Sequence, residues 1–351
     1  MKIVKATEKY EAWLRRRLRI VEPDLALKHE QMRSAPFPFL RATYYRWAQI
    51  WAEKCPEAAA APKVLAVGDL HVENFGTWRD SEGRLIWGIN DFDEAWPLPY
   101  TNDLIRLATS VLLSEMSGSA AEGIFAILKG YRDCLEAGGR PFALAENHPS
   151  LREMATARLH QPERYWEKLH ALADVVSEPP ADALKAIASL MPESGLHWRV
   201  VHRVAGLGSL GRERYVALAD WRGGSIAREA KALTCSASAW AARRKGNNAI
   251  HYQDILDRAV RCRDPFVRLR GTWIVRRLAP DCSRIELAAL PEGRDEVHLL
   301  HAMGWETANV HLGSRKPRTL GEDLQSRPRG WLLQAARRME KAILADFAEY
   351  N

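Results

Sequence analysis

The chain has few cysteines and no long apolar run. Its 351 residues contain five cysteines, all widely spaced and none in a C-x-x-C pair, which argues against a disulfide framework or a zinc cage. No stretch of 18 uninterrupted apolar residues occurs, and the first twenty residues mix charged and apolar positions, unlike a signal peptide. Internal repeats and low-complexity tracts are also absent. We therefore expect a soluble, cytoplasmic protein with no membrane partner.

The composition is that of a globular protein with a slight basic excess. Apolar residues make up 47% of the chain, enough to bury a large core in one large domain or two compact lobes. The 51 Lys and Arg exceed the 44 Asp and Glu by seven, which slightly favours a polyanionic ligand. The 13 tryptophans are spaced irregularly and are not interleaved with arginines, as a base-stacking platform requires. Nucleic acid is therefore not an expected partner.

Helical periodicity covers the first 60 residues and is then interrupted by short apolar runs. Thr7 is expected to cap a first helix that ends near Arg19. The runs at 63–67 and 84–90 predict two strands on either side of a polar stretch, in which DSEG at 80–83 is typical of a turn. Helices are predicted again from residue 101 to about 195, with breaks at consecutive prolines and at PESG.

A second change of pattern comes near His197. Apolar and polar residues alternate, bend at glycines and alternate again, which predicts three antiparallel strands. Two further strands are expected at FVRLRG and TWIVRRLAP, with a helix at about 249–260 between the two groups. The C-terminal part is predicted to be helical at about 294–313 and 329–349. The sequence therefore predicts a small antiparallel sheet between helical regions.

The first motif that carries chemistry is GDLHVEN, residues 68–74, followed by DFDE at 91–94. Asn74 lies five residues after Asp69, and Asp91 lies seventeen residues after Asn74. Phosphoryl transfer with Mg²⁺ needs one carboxylate facing the proton of the nucleophile, and an amide oxygen with a second carboxylate to hold the metal. The D-x-x-x-x-N spacing is that of a kinase catalytic loop. This motif therefore predicts a phosphoryl-transfer site.

Other interpretations of this motif stay open. Acidic residues at strand ends often cap turns, and a single D-x-x-x-x-N match is common by chance. Asp69 and His71 also form the D-x-H that opens metallophosphoesterase sites. That class needs further G-D-x-x-D, G-N-H and H-x-H elements, which the sequence lacks.

The second motif is GLGSLG at 206–211, hereafter the glycine loop. A G-x-G-x-x-G loop most often precedes a helix in a dinucleotide-binding unit. Here the residues after Gly211 alternate like a strand, so the loop is predicted to join two strands as a flexible flap over phosphates. Lys231, twenty residues past Gly211, then falls on the third strand and is expected to reach the α- and β-phosphates, with Arg228 as the rival cation.

The two motifs stand in the reverse of the usual kinase order, which a circular permutation explains because a site is assembled in space. The runs SAPFPFLRATYYRWA, GDLHVENFG, NDFDEAWPLPYTNDLIRLATS, VAGLGSLGRERYVAL and ADFAEY resemble the uncharacterised bacterial domain-of-unknown-function 2252 family over nearly the whole chain. That family is similar to a permuted branch of the kinase-like superfamily, near the aminoglycoside and choline phosphotransferases.

The resemblance implies a role for each motif residue. Asp69 matches the catalytic base, and His71 matches the loop histidine, for which a bracing role is favoured over a catalytic one. Asn74 and Asp91 match the metal-binding pair, Asp93 is a further metal or substrate contact, and Asp103 matches an aspartate that braces the catalytic loop. The expected nucleotide-binding residues are Gly206, Gly208, Ser209, Gly211 and Lys231.

We therefore expect an α+β protein with a two-lobed, circularly permuted, kinase-like fold. The predicted parts are a helical catalytic lobe at 1–195, a nucleotide-covering sheet at 196–285 and C-terminal helices at 286–351. The expected activity is transfer from ATP, with Mg²⁺, to a small hydroxyl-bearing acceptor. A nucleotide-binding pseudokinase and a nucleotidyltransferase are the alternatives. No glutamate lies between Lys231 and Glu286, so the usual lysine partner must be Asp254, Asp257 or a residue elsewhere.

Overall fold

The computed structural model describes residues 1–114, 118–144, 148–156, 162–175, 178–243, 248–282 and 296–351. The helices are α1 (Ile3–Arg15), α2 (Glu22–Ser34), α3 (Pro36–Ala42), α4 (Tyr44–Lys54), α5 (Pro56–Ala59), α6 (Thr101–Leu113), α7 (Ala120–Ala137), α8 (Pro149–Thr156), α9 (Pro162–His170), α10 (Ala181–Ala188), α11 (Ala237–Ala241), α12 (Tyr252–Arg258), α13 (Glu296–Leu312), α14 (Pro317–Ser326) and α15 (Trp331–Tyr350). The strands are β1 (Lys63–Ala66), β2 (Phe75–Arg79), β3 (Leu85–Ile89), β4 (Trp96–Pro99), β5 (Phe142–Ala143), β6 (Arg199–His202), β7 (Arg214–Trp221), β8 (Gly224–Ala232), β9 (Arg268–Arg270) and β10 (Trp273–Leu278).

The strands form three small sheets. β1 pairs with β4, β2 pairs with β3 and β3 with β5, and the largest sheet has the antiparallel order β6-β7-β8-β10-β9. The β2–β3 hairpin turns at the predicted DSEG, where the Asp80 carboxylate accepts hydrogen bonds from the N–H groups of Glu82 and Arg84 at 3.1 and 2.9 Å. Such side-chain bonds to nearby backbone stabilise a tight turn. The architecture is a mixed α and β fold with many helices.

Helix α6 lies at the centre of the main hydrophobic core. Every residue from Thr101 to Val111 is buried, because the helix is covered on all sides, and α7 and α15 are among the elements packed against it. A helix that is buried all round must place its polar side chains against partners, and α6 carries two charged ones, Asp103 and Arg106. The core therefore holds polar groups that belong to the site described below.

The five-stranded sheet buries one face against α10. Ala183, Ala186 and Ile187 of this helix pack with Ala230 of β8 and Val275 of β10, among other residues. Because β-strand side chains alternate between faces, the residues on either side of Ala230, Glu229 and Lys231, point away from α10. Their side chains are therefore available to the opposite face.

The sequence predictions hold for the sheet and fail in details. Five strands and the intervening helix α12 form as expected, and the glycine loop joins β6 to β7. Thr7 does not cap a helix: α1 begins at Ile3, and the Thr7 hydroxyl donates to the Ile3 carbonyl at 3.0 Å from inside the helix. The strands β2, β4 and β5 and the helices α11 and α14 were not predicted, and β5 lies in a stretch that was predicted to be helical. The proposed boundary at 285/286 lies outside the described residues.

Each helix in the described part of the chain is too short or too polar to cross a bilayer.

Candidate functional site

The loop that carries Asp69, residues 68–74, is held by its backbone. Gly68 has φ +83°, and a Cβ there would collide with the carbonyl oxygen of Glu94, so glycine is required by both conformation and space. The Asp103 carboxylate accepts hydrogen bonds from the N–H groups of Val67 at 2.6 Å and Gly68 at 3.0 Å. The first turn of α6 therefore braces the start of the loop, where the resemblance places this aspartate.

A buried histidine orients Asp103 in turn. The Nε2 atom of His311 lies 3.0 Å from Oδ2 of Asp103, and its Nδ1 atom lies 3.0 Å from the hydroxyl oxygen of Tyr131. All three side chains are fully buried. His311 lies 208 positions from Asp103 and belongs to no local motif, so its role was not predictable from the sequence. These two contacts form a continuous series of polar side chains from Tyr131 through His311 on α13 to Asp103, which holds the loop.

Asp69 is held by an arginine that no sequence motif indicates. Arg106 of α6 donates to Asp69 Oδ1 from Nε at 2.9 Å and from Nη2, and its guanidinium lies 5.0 Å from the ring centres of Tyr44 and Trp47. The Arg106 side chain is buried, whereas that of Asp69 is 20% exposed. Burial raises the pKa of Asp69 above its ordinary value, and Arg106 opposes this rise. One oxygen is thus committed to Arg106, and Oδ2 is the one nearer the glycine loop.

Asn74 joins the loop to the β2–β3 hairpin. Its Nδ2 atom donates to the carbonyl oxygens of Asp69 at 3.3 Å and Asp91 at 3.1 Å. The Asn90 N–H donates to the Asn74 carbonyl at 3.1 Å, one step beyond the Phe75–Ile89 pair of the hairpin. These bonds place Asn74 and Asp91 side by side. Because Nδ2 donates to both carbonyls, the amide oxygen of Asn74 is the atom left to ligate a cation.

Lys231 lies against the two aspartates of the DFD motif. Its Nζ atom is 2.6 Å from Oδ1 of Asp93 and 3.5 Å from Oδ2 of Asp91. Burial opposes ionisation of Asp91, but Lys231 and neighbouring donors hold its pKa below the ordinary value. Burial and then the Asp91 charge raise the pKa of Asp93 to about 6. The lysine partner left open by the sequence is therefore this pair, whereas Asp254 and Asp257 pair with His251 and Arg263.

The donor set at this point has the chemistry that Mg²⁺ requires. Asp91, Asp93 and Asn74 present carboxylate and amide oxygens, and Mg²⁺ in phosphoryl-transfer sites is held by one or two carboxylates together with substrate phosphates. The Lys231 ammonium between Asp91 and Asp93 shows that the two carboxylates share one cationic neighbour. The described residues contain no cluster of three or more His, Cys, Asp or Glu side chains arranged for a metal ion. The fit therefore depends on two carboxylates and one amide.

The glycine loop lies directly over Asp69. A Cβ on Gly208 would lie 3.3 Å from Oδ2 of Asp69 and 3.1 Å from the carbonyl oxygen of Arg41. Leu207–Ser209 form one turn of 3-10 helix, in which the N–H groups of Ser209 and Leu210 donate to the carbonyls of Gly206 and Leu207. Two of the amides expected to face phosphates are thus engaged within the turn.

The N-terminal helices clamp the glycine loop, which was expected to be a flexible flap. Lys28 of α2 donates from Nζ to the Gly208 carbonyl at 2.9 Å, and the Val21 N–H donates to the Gly211 carbonyl at 2.9 Å. Gly211 has φ +92° and packs against Leu25. Burial lowers the pKa of Lys28 to about 8. The glycine loop is therefore tied at its middle to α2 and at its last residue to the residue that precedes α2.

The remaining predicted residues have separate positions. The Nδ1 atom of His71 accepts a hydrogen bond from the Glu73 N–H at 3.2 Å, and the ring packs edge-on against Phe37. These contacts suit a bracing role. Ser209 Oγ accepts a hydrogen bond from Nη2 of Arg214 at 2.8 Å. Arg228 faces away from the site and donates to the carbonyl of Leu190 at 2.8 Å.

Two adjoining cavities are lined by most of the predicted site residues, but not by Gly211 or Lys231. A small polar cavity of about 50 Å³ is lined by Asp69, Asn74, Asp91, Asp93 and the first part of the glycine loop, among others. A larger cleft of about 770 Å³, hereafter the cleft, lies beside it and shares Asp91 and Gly206 with it. Ligand pockets of proteins commonly have volumes of this larger size. A ligand in the cleft would therefore reach Asp91, which lies beside the loop at 68–74, hereafter the acidic loop.

Comparison with known proteins reveals one similarity. The sequence profile of a family described as "Uncharacterized protein conserved in bacteria (DUF2252)" matches residues 19–137, about a third of the chain. This part includes Asp69, Asn74, Asp91 and Asp103, and it ends before the glycine loop and Lys231. No curated protein and no solved structure is significantly similar to the chain. The match supports the family predicted from the sequence.

Proposed function

We propose that this protein transfers the γ-phosphoryl group of ATP, with Mg²⁺, to a hydroxyl group of a small-molecule acceptor on a circularly permuted kinase-like fold. One observation carries the proposal. The acidic loop and the glycine loop are separated by more than a hundred residues, yet Asp69 Oδ2 lies 3.3 Å from the Cβ position of Gly208. The two motifs also line one cavity. A phosphoryl-transfer site needs both motifs at one place, whereas neither motif by itself requires the other to be near.

Asp69 has the position of a group that orients an acceptor hydroxyl. The acceptor oxygen forms a bond to the γ-phosphorus while the bond from that phosphorus to the β–γ bridging oxygen breaks. ADP leaves with the electron pair, and the hydroxyl proton passes to the Asp69 carboxylate. Arg106 holds this carboxylate through Oδ1, so it is fixed before substrate binds. Fixed geometry is the main contribution of a protein to phosphoryl transfer.

Asn74, Asp91 and Asp93 would hold Mg²⁺, whose chemistry when bound is to neutralise the phosphate oxygens. Lys231 keeps Asp91 ionised by its charge, so that a carboxylate is ready for the cation. Asp103 and His311 fix the backbone from which Asp69 projects. In this proposal each of these residues either balances charge at the metal site or fixes the position of Asp69.

Nucleotide binding without transfer is the second candidate, and the position of Lys231 favours it. Because Lys231 lies against both Asp91 and Asp93, the carboxylates are already partly neutralised without a metal. A protein that binds nucleotide as a regulator needs nothing more. The assay that tests the first proposal also separates it from this one.

The test is incubation of the protein with Mg²⁺ and ATP labelled at the γ-phosphate, first alone and then with bacterial metabolite pools. Transfer of label to a metabolite or to the protein supports phosphotransfer. Release of labelled pyrophosphate, with AMP joined to the acceptor, indicates a nucleotidyltransferase. ATP binding measured by calorimetry, without any label transfer across the pools, rejects the phosphotransferase and leaves the regulator.

The substitution Asp69→Asn is expected to lower turnover by roughly a hundredfold to ten-thousandfold, the usual contribution of a positioned general base, while ATP affinity stays near that of the wild type. Asp220→Asn, at an exposed strand end, is the control. Because Arg106 loses its charged partner, thermal unfolding of the variant is followed in parallel, and rates are compared where both proteins are folded. Wild-type turnover in the folded variant would rule out this role for Asp69.

A further inference from the structure

The cleft beside the acidic loop is strongly basic. It lies between the five-stranded sheet, the β2–β3 hairpin and α12, and α9 contributes to its rim. Among the described residues that line it, seven cations face two carboxylates, Asp91 and Asp264. The cations are Arg164, Lys168, Arg203, Arg214, Arg261, Arg276 and Arg277. An excess of this size in one concave surface attracts anions.

Three of these arginines are held by one buried glutamate. Glu229, 1% exposed, receives Arg214 Nη1 at 2.8 Å, Arg276 Nε at 2.8 Å and Arg203 Nη1 at 2.6 Å. Burial alone would raise the pKa of Glu229, but the three guanidiniums hold it well below its ordinary value. We refer to Arg203, Arg214 and Arg276 as the arginine triad. One negative charge fixes three positive ones, so the cluster keeps a surplus of two positive charges.

The register of the sheet explains why these residues meet. Arg276 of β10 is directly opposite Glu229 of β8, and Arg214 of β7 is opposite Lys231 on the same face. Arg203 follows the end of β6. The three arginines thus come from three neighbouring chain segments around one glutamate. Because a guanidinium has five N–H donors, the bonds to Glu229 leave further donors for a ligand.

The triad is connected to both parts of the transfer site. Arg214 donates from Nη2 to Ser209 Oγ in the glycine loop at 2.8 Å. Arg276 lies close enough to Asp91 to help lower the pKa of that carboxylate. Lys231, the cation expected to hold the α- and β-phosphates, is instead engaged by Asp91 and Asp93. The cations available to phosphates in the cleft are therefore the arginines and Lys168.

We infer that the arginine triad, oriented by Glu229, binds an oligophosphate chain in the cleft and directs its terminal phosphate toward Asp91 and Gly206. Planar guanidinium groups match phosphate oxygens in pairs, which makes arginine suited to such chains. Two neighbouring arginines have donors to spare: Arg261 Nε and Nη1 and Arg277 Nε are buried and make no hydrogen bond with any described residue. The inference rests on the proposed function only for what happens to the bound oligophosphate afterwards, since binding itself needs no phosphoryl transfer.

The oligophosphate chain can belong to a nucleoside triphosphate or to inorganic tripolyphosphate, and calorimetry distinguishes these two sources. The full-length protein is titrated with tripolyphosphate, with ATP and with adenosine, all in EDTA, so that metal binding does not contribute. Arg276→Gln and Arg203→Gln are compared with Arg268→Gln, which removes an exposed arginine on β9 of the same sheet, outside the cleft lining. Arg203 follows a strand end and is 29% exposed at its side chain, so its substitution disturbs the fold least.

The expected result is that ATP and tripolyphosphate bind and that adenosine binds far more weakly. Each triad variant should lose about 10- to 100-fold in affinity for both phosphate ligands, the effect of one charge-assisted contact, and Arg268→Gln should bind like the wild type. ATP binding more tightly than tripolyphosphate identifies a nucleotide as the source, and equal affinity identifies the inorganic chain. Unchanged tripolyphosphate affinity in both triad variants, or no binding of either phosphate ligand to the wild type, overturns the inference. Tight triad-dependent binding without label transfer would instead reject only the proposed function.

Discussion

At the scale of single residues, the buried carboxylates differ in how their charge is balanced. Glu229 has three guanidinium partners and Asp91 has Lys231, and both are held ionised. Among the described residues, Glu306, which is 1% exposed, receives hydrogen bonds from Asn309 Nδ2 at 2.9 Å and the Ile89 N–H at 3.4 Å but forms no salt bridge. Burial raises the pKa of Glu306 to about 7, against the opposing effect of Arg261. A buried carboxylate without a close cationic contact favours its neutral form.

This difference predicts a pH dependence of stability. The pKa of Glu306 is raised in the folded state, so between the unfolded value of 4.5 and about 7 the folded protein binds a proton that the unfolded chain does not. Its contribution to the free energy of unfolding is present below that window and is lost as pH rises through it, on the order of 1–3 kcal/mol in all. Glu306→Gln should flatten this slope, as measured by denaturant unfolding at several pH values from 5 to 8.

The comparison for this variant is Glu8→Gln, an exposed position on α1. The measured quantity is the slope with pH, because the amide also changes the hydrogen bonds of Glu306 and hence the absolute stability. Parallel profiles for Glu306→Gln and the wild type would show that Glu306 is ionised in the folded state throughout this range.

At the scale of elements, two glycines allow helices α7 and α13 to approach each other closely. A Cβ on Gly130 of α7 would collide with the carbonyl of His301, and a Cβ on Gly304 of α13 would collide with the carbonyl of Ile127. The backbones of α7 and α13 therefore touch without side chains between them. Helix α13 also carries His311, which supports Asp103, so this packing positions the acidic loop.

The substitution Gly304→Ala is expected to lower the free energy of unfolding by about 1–3 kcal/mol, the cost of overpacking a rigid contact. Gly321→Ala is the matched control, because Gly321 lies in α14 with open space at its Cβ position. There the better helix propensity of alanine should raise stability by up to about 1 kcal/mol. Chemical denaturation measures both effects, and a stabilised Gly304→Ala would contradict the close packing of α7 and α13.

At the scale of the whole molecule, the site is built from parts that are distant in the chain. The N-terminal helix α2 holds the glycine loop through Lys28, the sheet supplies Lys231, and the β2–β3 hairpin supplies Asp91. A ligand that contacts several of these parts binds the folded protein and not the unfolded chain. Binding must therefore raise the stability of the whole fold.

The substitution Asp91→Ala should abolish the Mg²⁺-dependent part of nucleotide binding. Wild-type protein with MgATP at about 100 times its dissociation constant should gain roughly 2.7 kcal/mol of stability, seen as a raised Tm. Asp91→Ala should lose the difference between MgATP and ATP in EDTA, whereas Asp220→Ala should keep it. Calorimetry that finds wild-type MgATP affinity in Asp91→Ala would reject Asp91 as a metal ligand.

Much of this arrangement was predictable because it depends on local sequence. Alternation after Gly211 indicated a strand, so the glycine loop was placed between two strands, as it is in the structure. The turn at 80–83 follows from Asp80 and the glycine at its end. The error at Thr7 is also local in origin: a threonine is favoured at a helix start, but burial of Ile3 and Ala6 extends α1 by a turn.

The partners of buried charges were not predictable, because they are chosen by strand register and helix packing. Arg106 and Asp69 lie 37 positions apart, and His311 and Asp103 lie 208 apart. The arginine triad has no motif at all, since its members come from separate segments around Glu229.

The amino-acid sequence by itself determined the types of the main elements and the spacing of the residues in the two motifs, since periodicity, turns and motif spacing are properties of neighbouring residues. Only the tertiary structure decided that Lys231 pairs with Asp91 and Asp93, that α2 clamps the glycine loop and that Glu229 collects three arginines. The physical reason is that a buried charge must find a partner wherever the packed chain places one.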